Sequence, residues 1–517
     1  MATGSNRNLY LAATVACLTG ALFGYSVGFI GGILVLPSFQ HHFRLDKLPA
    51  PDLAAAQAST VTIWLVGALF GVPLGMPVCS RLGRRRCLSF CALLYVLGAV
   101  LQLVDVSSSL AVFNAGRLLN GLGVGAGTLV SPMYISEIST PSARGMLLSG
   151  YQTAIQLAAL AGFWAAFAAH ATLADSSALQ WEIPVAVQLV PGVLLLLGTL
   201  FIPEAPRYLV DTGKDDAAQD ALAWLRSLPR EDPDVQDELS ELQETTPASD
   251  VPTPSLLAIV KQPSIRKRLG VGIGLMIAQN MVGLNALNYY APVIFMSAGF
   301  NTVSSSLFLT GLFGLTKLFS AISFMFIFVR LRGNRFWLQL GSGICGVSMV
   351  ILAICVRSLL SSGPSTEAHL TVQGVISVLM VYIFAFAFGI SLGPISWNVC
   401  SEIFPAAAKA KCCGITTCVQ WLFQIVIAGI TPHLLANVGW ATYLVYAACC
   451  AASFVWVRIA VPETKGVKLG RDMDELFSVG DKDEVLRFEE GETQERRALL
   501  GERAQRTGRR DSVGFPV

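Results

Sequence analysis

Charge is what this chain is short of. Only 14% of its 517 residues are Asp, Glu, Lys or Arg, against about 25% in soluble globular domains. The deficit lies in long apolar tracts, which excludes a water-soluble globular fold. The 36 basic and 34 acidic residues leave a net charge of +2, so no partnership with nucleic acid is expected. Histidine is scarce as well. The five (His41, His42, His170, His369 and His433) fall near expected loops or span ends. No Ser/His/Asp set, metal-ligand spacing or phosphate-binding loop occurs, so neither catalysis, nor a metal, nor a cofactor is expected. The 12 cysteines sit almost wholly in apolar tracts and the long polar loops have none, which argues against a disulfide framework. An Asn-x-Ser/Thr sequon is missing too, so N-glycosylation is not expected.

What remains is apolar. Twelve tracts can be marked: 10–36, 60–79, 87–107, 111–133, 146–170, 183–202, 269–297, 305–329, 337–357, 372–402, 412–435 and 440–461. Each is about as long as a membrane-crossing helix, for which roughly 20 residues suffice. The first is too long and too glycine-rich for a signal segment and reads as a retained span. The expectation is an all-α polytopic membrane protein with 12 transmembrane helices in two pseudo-symmetric six-helix bundles. Residues 1–202 and 269–465 would form the bundles, 203–268 a soluble helical linker with a helix near Ala217–Leu228, and 466–517 a charged tail without order. Lys and Arg cluster on one side, in loop 80–86, at Arg144, in the linker and at Lys409 and Lys411. The positive-inside rule then puts both termini and the linker in the cytoplasm.

The two halves repeat each other. Ser136-Glu137-Ile138 with Arg144 returns as Ser401-Glu402-Ile403 with Lys409, both at 402 − 137 = 409 − 144 = 265. Pro203-Glu204 returns as Pro462-Glu463 at 463 − 204 = 259, and the Arg81-x-Gly83 loop as Arg330 to Arg335 at 333 − 83 = 250. A duplicated six-helix unit explains this, with solute bound between the copies near mid-membrane.

One apolar run breaks the pattern of its neighbours. Between Ala278 and Pro292 it carries Gln279, Asn280, Asn285, Asn288, Tyr289 and Tyr290. Amides in hydrocarbon are costly unless hydrogen-bonded, so these side chains should face protein or a wet cavity. Gly283 and Pro292 permit local unwinding there. A flexible helix presenting amides and phenols at membrane depth suits a solute with several hydroxyls; glue between helices would need only one or two such groups.

Taken in order, the landmarks resemble the sugar porter family of the major facilitator superfamily across about 20–470. They include Gly20-x-x-Phe23-Gly24-Tyr25, the 81–86 loop, Gly116-Arg117 and Pro132-x-Tyr134-x-x-Glu137 with Arg144-Gly145. Pro203-Glu204-x-Pro206-Arg207, the 279–290 stretch, Gly393-Pro394-x-x-Trp397 and Pro462-Glu463-Thr464-Lys465-Gly466 complete the set. Phe29-Ile30-Gly31-Gly32, Gln279-Asn280 and Thr310-Gly311-x-x-Gly314-x-x-Lys317 look most like fungal quinate and sugar-acid members.

The resemblance implies alternating-access transport of a monosaccharide or a related polyhydroxylated compound, such as a hexose, a pentose, quinate or galacturonate. It implies a substrate site from Gln152, Gln279, Asn280, Asn285, Trp397 and the 420–424 region, which holds Trp421 and Gln424. It also implies a cytoplasmic gate of ion pairs, for which the candidates are Arg81, Arg84, Arg85, Glu137, Arg144, Glu204, Arg207, Arg335, Glu402, Lys409 and Glu463. Where proton-driven relatives carry Asp, this chain has Ser26, which favours facilitative uniport; proton symport stays open, since Arg117 is left as an intramembrane cation. Lys317 is the second such cation and, with Arg117, a candidate for attracting a carboxylated polyol. A transporter-like nutrient receptor is the rival from another class, opposed by the short tail. The expected partners are the solute, the bilayer and, under symport, protons; a monomer suffices. The expected location is the plasma membrane, although Glu495 to Leu500 resembles an acidic dileucine sorting signal for internal membranes.

Overall fold

The computed structural model describes residues 7–104, 108–140, 143–245, 262–297, 302–361, 371–465, 473 and 476–477. The 495–500 stretch lies outside them. Hydrocarbon offers no partner for a free N–H or C=O, so apolar tracts of this length close their hydrogen bonds internally as helices. Among the described residues twelve helices are long and apolar enough to cross a membrane. They are span 1 (Arg7–Ile33), span 2 (Pro51–Leu82), span 3 (Arg84–Leu103), span 4 (Leu110–Ile138), span 5 (Arg144–Thr172) and span 6 (Leu179–Gly198). The second half supplies span 7 (Pro263–Met296), span 8 (Val303–Leu331), span 9 (Asn334–Ser361), span 10 (Val372–Glu402), span 11 (Lys411–Asn437) and span 12 (Gly439–Ala460).

Within the first bundle, span 1 packs on span 5 and span 4 on spans 2 and 3; within the second, span 9 packs on spans 10 and 12, and span 7 on span 11. The bundles meet where span 5 lies on span 8, span 2 on span 11, and span 1 on the second half of span 7. On the side away from the linker they close tightly. A Cβ added at Gly31 of span 1 would sit 2.7 Å from the Tyr289 carbonyl oxygen of span 7. Trp164 meets Phe308 edge-on at 5.9 Å, and Phe163 meets Phe313 at 6.2 Å.

Span 7 is two helices, Pro263–Met281 and Leu284–Ser297. Gly283 makes the break at φ 100°, where a side chain would be strained and its Cβ would lie 2.8 Å from the Tyr446 ring. Span 10 is likewise split, into Val372–Gly389 and Leu392–Glu402. Its break comes at Ile390–Ser391, ahead of the Gly393-Pro394 pair. Pro394 sits in the first turn of the second helix, where a missing N–H costs nothing.

The linker holds Pro206–Asp211, Asp215–Arg226 and Pro233–Thr245, so the helix expected at 217–228 starts two residues earlier. Arg226 binds Glu238 at 2.6 Å and donates to the Ile138 carbonyl at 3.1 Å, which ties the linker to the end of span 4. Of the tail, only residues 473, 476 and 477 are described. Met473 and Phe477 are buried, with Phe477 against the Arg268 guanidinium at 5.1 Å.

A chamber between the bundles, roofed by amides

Between the bundles lies a chamber of about 1150 Å³, its mouth included. Thr128, Tyr151 and Gln152 line it from the first bundle, and Met276, Trp397 and Thr417 from the second. Arg144, Glu402 and Lys409 stand at the linker-side end, where it opens. With the opposite side sealed by the span 1–7 and 5–8 contacts, this is the state open toward the linker.

One helical turn beyond Met276 and Thr417, which line the chamber, come Asn280 and Gln420. There the 279–290 stretch and span 11 form a buried layer next to the chamber, its roof, whose amides do not themselves line it. The roof is a chain of amides. Asn280 donates to Gln420 Oε1 at 2.6 Å, Asn285 to Asn280 Oδ1 at 2.6 Å, and Asn288 to Asn285 Oδ1 at 3.4 Å. Gln424 donates to the Tyr289 hydroxyl at 2.6 Å and reaches Asn285 Oδ1 at 3.5 Å. Lys317 closes the row by donating to Asn288 Oδ1 at 2.8 Å. Two amide oxygens in the roof, Gln279 Oε1 and Gln424 Oε1, are buried with no donor among the described residues, as is Gln156 Oε1 of span 5. A buried acceptor without a partner costs about 1–3 kcal/mol, and a ligand hydroxyl removes that cost.

Gln152 and Trp397 therefore line the chamber, while Gln279, Asn280, Asn285 and Gln424 are brought together above it. Trp421 stands apart. It is fully buried between Phe23 at 5.1 Å and Trp64 at 5.7 Å, and its indole N–H donates to Thr128 at 3.3 Å. It joins the two bundles and offers no free face to a ligand in this state. Lys317 does not line the chamber either; it is buried, with the Phe313 and Phe163 rings at 5.5 and 5.9 Å. Asn288, Gln420 and Gln156 were missed as individual site residues. Each lies three or four positions from one that was singled out, the spacing that puts two side chains on one helix face.

The chain matches the family model described as "Sugar (and other) transporter" over residues 12–477. The chain belongs to this family. It is 34% identical over 479 residues to a probable quinate permease of Aspergillus terreus, covering 91% of this chain and 87% of that relative. Against the quinate permease of Neurospora africana the identity is 31% over 484 residues, covering 92% and 89%. Among solved structures it resembles the major facilitator proton:xylose symporter XylE bound to 6-bromo-6-deoxy-D-glucose, with TM-score 0.74, 24% identity and 91% and 99% coverage. The partially occluded inward open xylose transporter of E. coli gives 0.73 at 24%, covering 90% and 100%. This is a multi-pass membrane transporter of the major facilitator fold, and not an enzyme.

Two further charge systems belong to this transporter. In the first bundle, the buried Ser26 hydroxyl lies 3.1 Å from the Tyr95 hydroxyl and donates to Asn120 Oδ1 at 3.3 Å. Arg117 leaves Ser26 alone. Its Nε donates to the Thr60 carbonyl at 3.4 Å, and its guanidinium lies 5.3 Å from Trp64 and 5.7 Å from Phe29. Both terminal nitrogens lack an acceptor among the described residues.

At the linker side, Arg84 and Glu137 pair at 2.9 Å within one bundle. Glu204 and Glu463, expected in the gate, cap helices in this state. Glu204 Oε1 accepts from the N–H groups of Arg84 and Arg85, and Glu463 from those of Asn334 and Arg335. A Cβ at Gly83 or Gly333 would collide with the capping carboxylate, which explains the matched glycines. The Arg85 side chain donates to the Thr199 carbonyl at 2.7 Å, Arg335 binds the Arg458 carbonyl, and the Arg81 carbonyl accepts from Tyr208 at 2.8 Å. Arg207 stands as a further charge near Glu137. Arg144, Glu402 and Lys409 form no ion pair within 4 Å among the described residues. Burial holds the Lys409 ammonium below its ordinary range, and the like charge of Arg144 presses the same way.

Proposed function

We propose that this protein is a facilitative uniporter of a monosaccharide or a related polyhydroxylated acid of the quinate kind. The observation that carries the reading is the pair of buried acceptors without a donor among the described residues, Gln279 Oε1 and Gln424 Oε1, in the amide layer next to the chamber. Hydroxyl donors are what such a roof lacks, and a polyol supplies several at once. The names of the quinate permease relatives support an acidic polyol. So do Arg117 and Lys317, buried cations with no carboxylate paired to either among the described residues; their positive potential acts through a low-dielectric interior. Uniport is supported by Ser26, a hydroxyl already hydrogen-bonded twice, and by the lack of a mid-span Asp or Glu among the described residues.

In this reading 1–202 and 269–465 rock against each other about the roof, with 203–268 as linker and 466–517 as tail. Arg144, Glu402 and Lys409 close the linker-side mouth. That side is the cytoplasm, both termini lie there, and the monomer works alone in the plasma membrane. Counterflow in proteoliposomes with labelled hexoses, pentoses, quinate and galacturonate tests the reading. Saturable exchange of a polyol that does not concentrate against an imposed pH gradient is expected. Proton-driven accumulation would replace uniport by symport, and binding without flux would mark a receptor.

A further inference from the structure

The amide roof has a direction, and one residue sets it. An ammonium group has only donors, so Lys317 forces Asn288 to turn its oxygen toward Nζ, at 2.8 Å. The Asn288 NH2 then faces Asn285 Oδ1, the Asn285 NH2 faces Asn280 Oδ1, and the Asn280 NH2 faces Gln420 Oε1. No member can flip alone without setting two oxygens or two NH2 groups against each other. Two consequences reach the solute site. Gln420 has its oxygen occupied, which leaves its NH2 as a donor. Asn285 Oδ1 also receives Gln424 Nε2 at 3.5 Å, which leaves Gln424 Oε1 as the free acceptor.

We propose that Lys317 is a positioning residue: its ammonium, acting through Asn288, fixes which roof groups are donors and which are acceptors, and so fixes hydroxyl selectivity for neutral and acidic solutes alike. It acts without touching the solute. The ammonium is screened from the chamber by its bond to Asn288 and by Phe313 and Phe163, the latter from the opposite bundle. The proposal rests on the reading of the amide roof as the solute site. It departs from a direct role in carboxylate attraction, since that role would leave neutral sugars untouched.

Lys317→Met removes the charge and the donor at similar length; Lys317→Gln restores one donor. Competition by monodeoxy analogues of a carried neutral sugar is measured in proteoliposomes for both, and for Asn288→Ala. Lys317→Met should weaken the parent sugar about tenfold or more, the scale of one charge-assisted hydrogen bond, and flatten the differences among the deoxy analogues. Lys317→Gln should recover part of both, and adding Lys317→Met to Asn288→Ala should cost nothing further. Unchanged neutral-sugar selectivity in Lys317→Met, with loss confined to acidic solutes, overturns the proposal. A second measurement needs no solute. Melting temperatures of the empty single and double variants should be strongly non-additive, and independent losses overturn the ordered row. If the wild type bound no polyol while non-additivity held, the solute-site reading alone would have failed.

Discussion

The Glu204 carboxylate sits on the N-terminus of span 3, accepting the Arg84 N–H at 2.7 Å and the Arg85 N–H at 2.9 Å. Its counterpart Glu463 does the same for span 9, accepting the Asn334 N–H at 2.8 Å. A carboxylate there satisfies orphan donors and complements the positive end of the helix dipole.

Glu204→Ala or Glu463→Ala should therefore destabilise the protein by about 2 kcal/mol, the upper range for a lost cap. Glu204→Gln, which keeps an acceptor oxygen, should lose less. Thermal melts in detergent check both, and equal losses for Ala and Gln would refute capping.

Unpaired acceptors give the opposite sign. Replacing Gln279 by Leu removes a buried oxygen that has no donor among the described residues. The Gln279→Leu melting temperature without solute should stay level or rise. Affinity for a carried polyol should fall about five- to tenfold, the size of one neutral hydrogen bond. Solute-induced shifts in melting temperature measure this directly.

The mouth charges should set the balance of states. Arg144→Glu places two acids across the linker-side opening and should favour the open state by about 1 kcal/mol, roughly fivefold in population. The exchange Arg144→Glu with Glu402→Arg should restore it. Alkylation of Cys413, which lines the chamber, followed by mass spectrometry, reports the change.

Gly31 tests the opposite closure. A Cβ there would stand 2.7 Å from the Tyr289 oxygen, so Gly31→Val should push spans 1 and 7 apart at a cost of about 1–3 kcal/mol. Opening on that side should slow Cys413 alkylation and transport together. Faster alkylation would contradict the contact as a closure.

The membrane made much of this legible beforehand. Hydrocarbon penalises polar groups so heavily that Gln279, Asn280 and Asn285 stood out in an apolar run, and the structure gathers them in one roof. The Gly283 break was readable because glycine is what a positive φ requires. Contacts that depend on distant chain were not readable. Glu204 meets span 3 only through a fold that brings residues 120 positions apart together, and nothing local distinguishes a cap from a gate. Trp421 and Lys317 are buried, but which bundle covers each is a property of packing that the sequence does not show. Phe477 lies in a charged tail whose composition hid its docking partner, Arg268.

The unmet oxygens at Gln279 and Gln424 bear on the transport cycle itself. In the proposed cycle, solute hydroxyls travel with them when a loaded carrier reorients, whereas an empty carrier must carry them bare through the occluded intermediate. The return without cargo is then the slow half of the cycle, so labelled solute trades places across the membrane faster than it drains away.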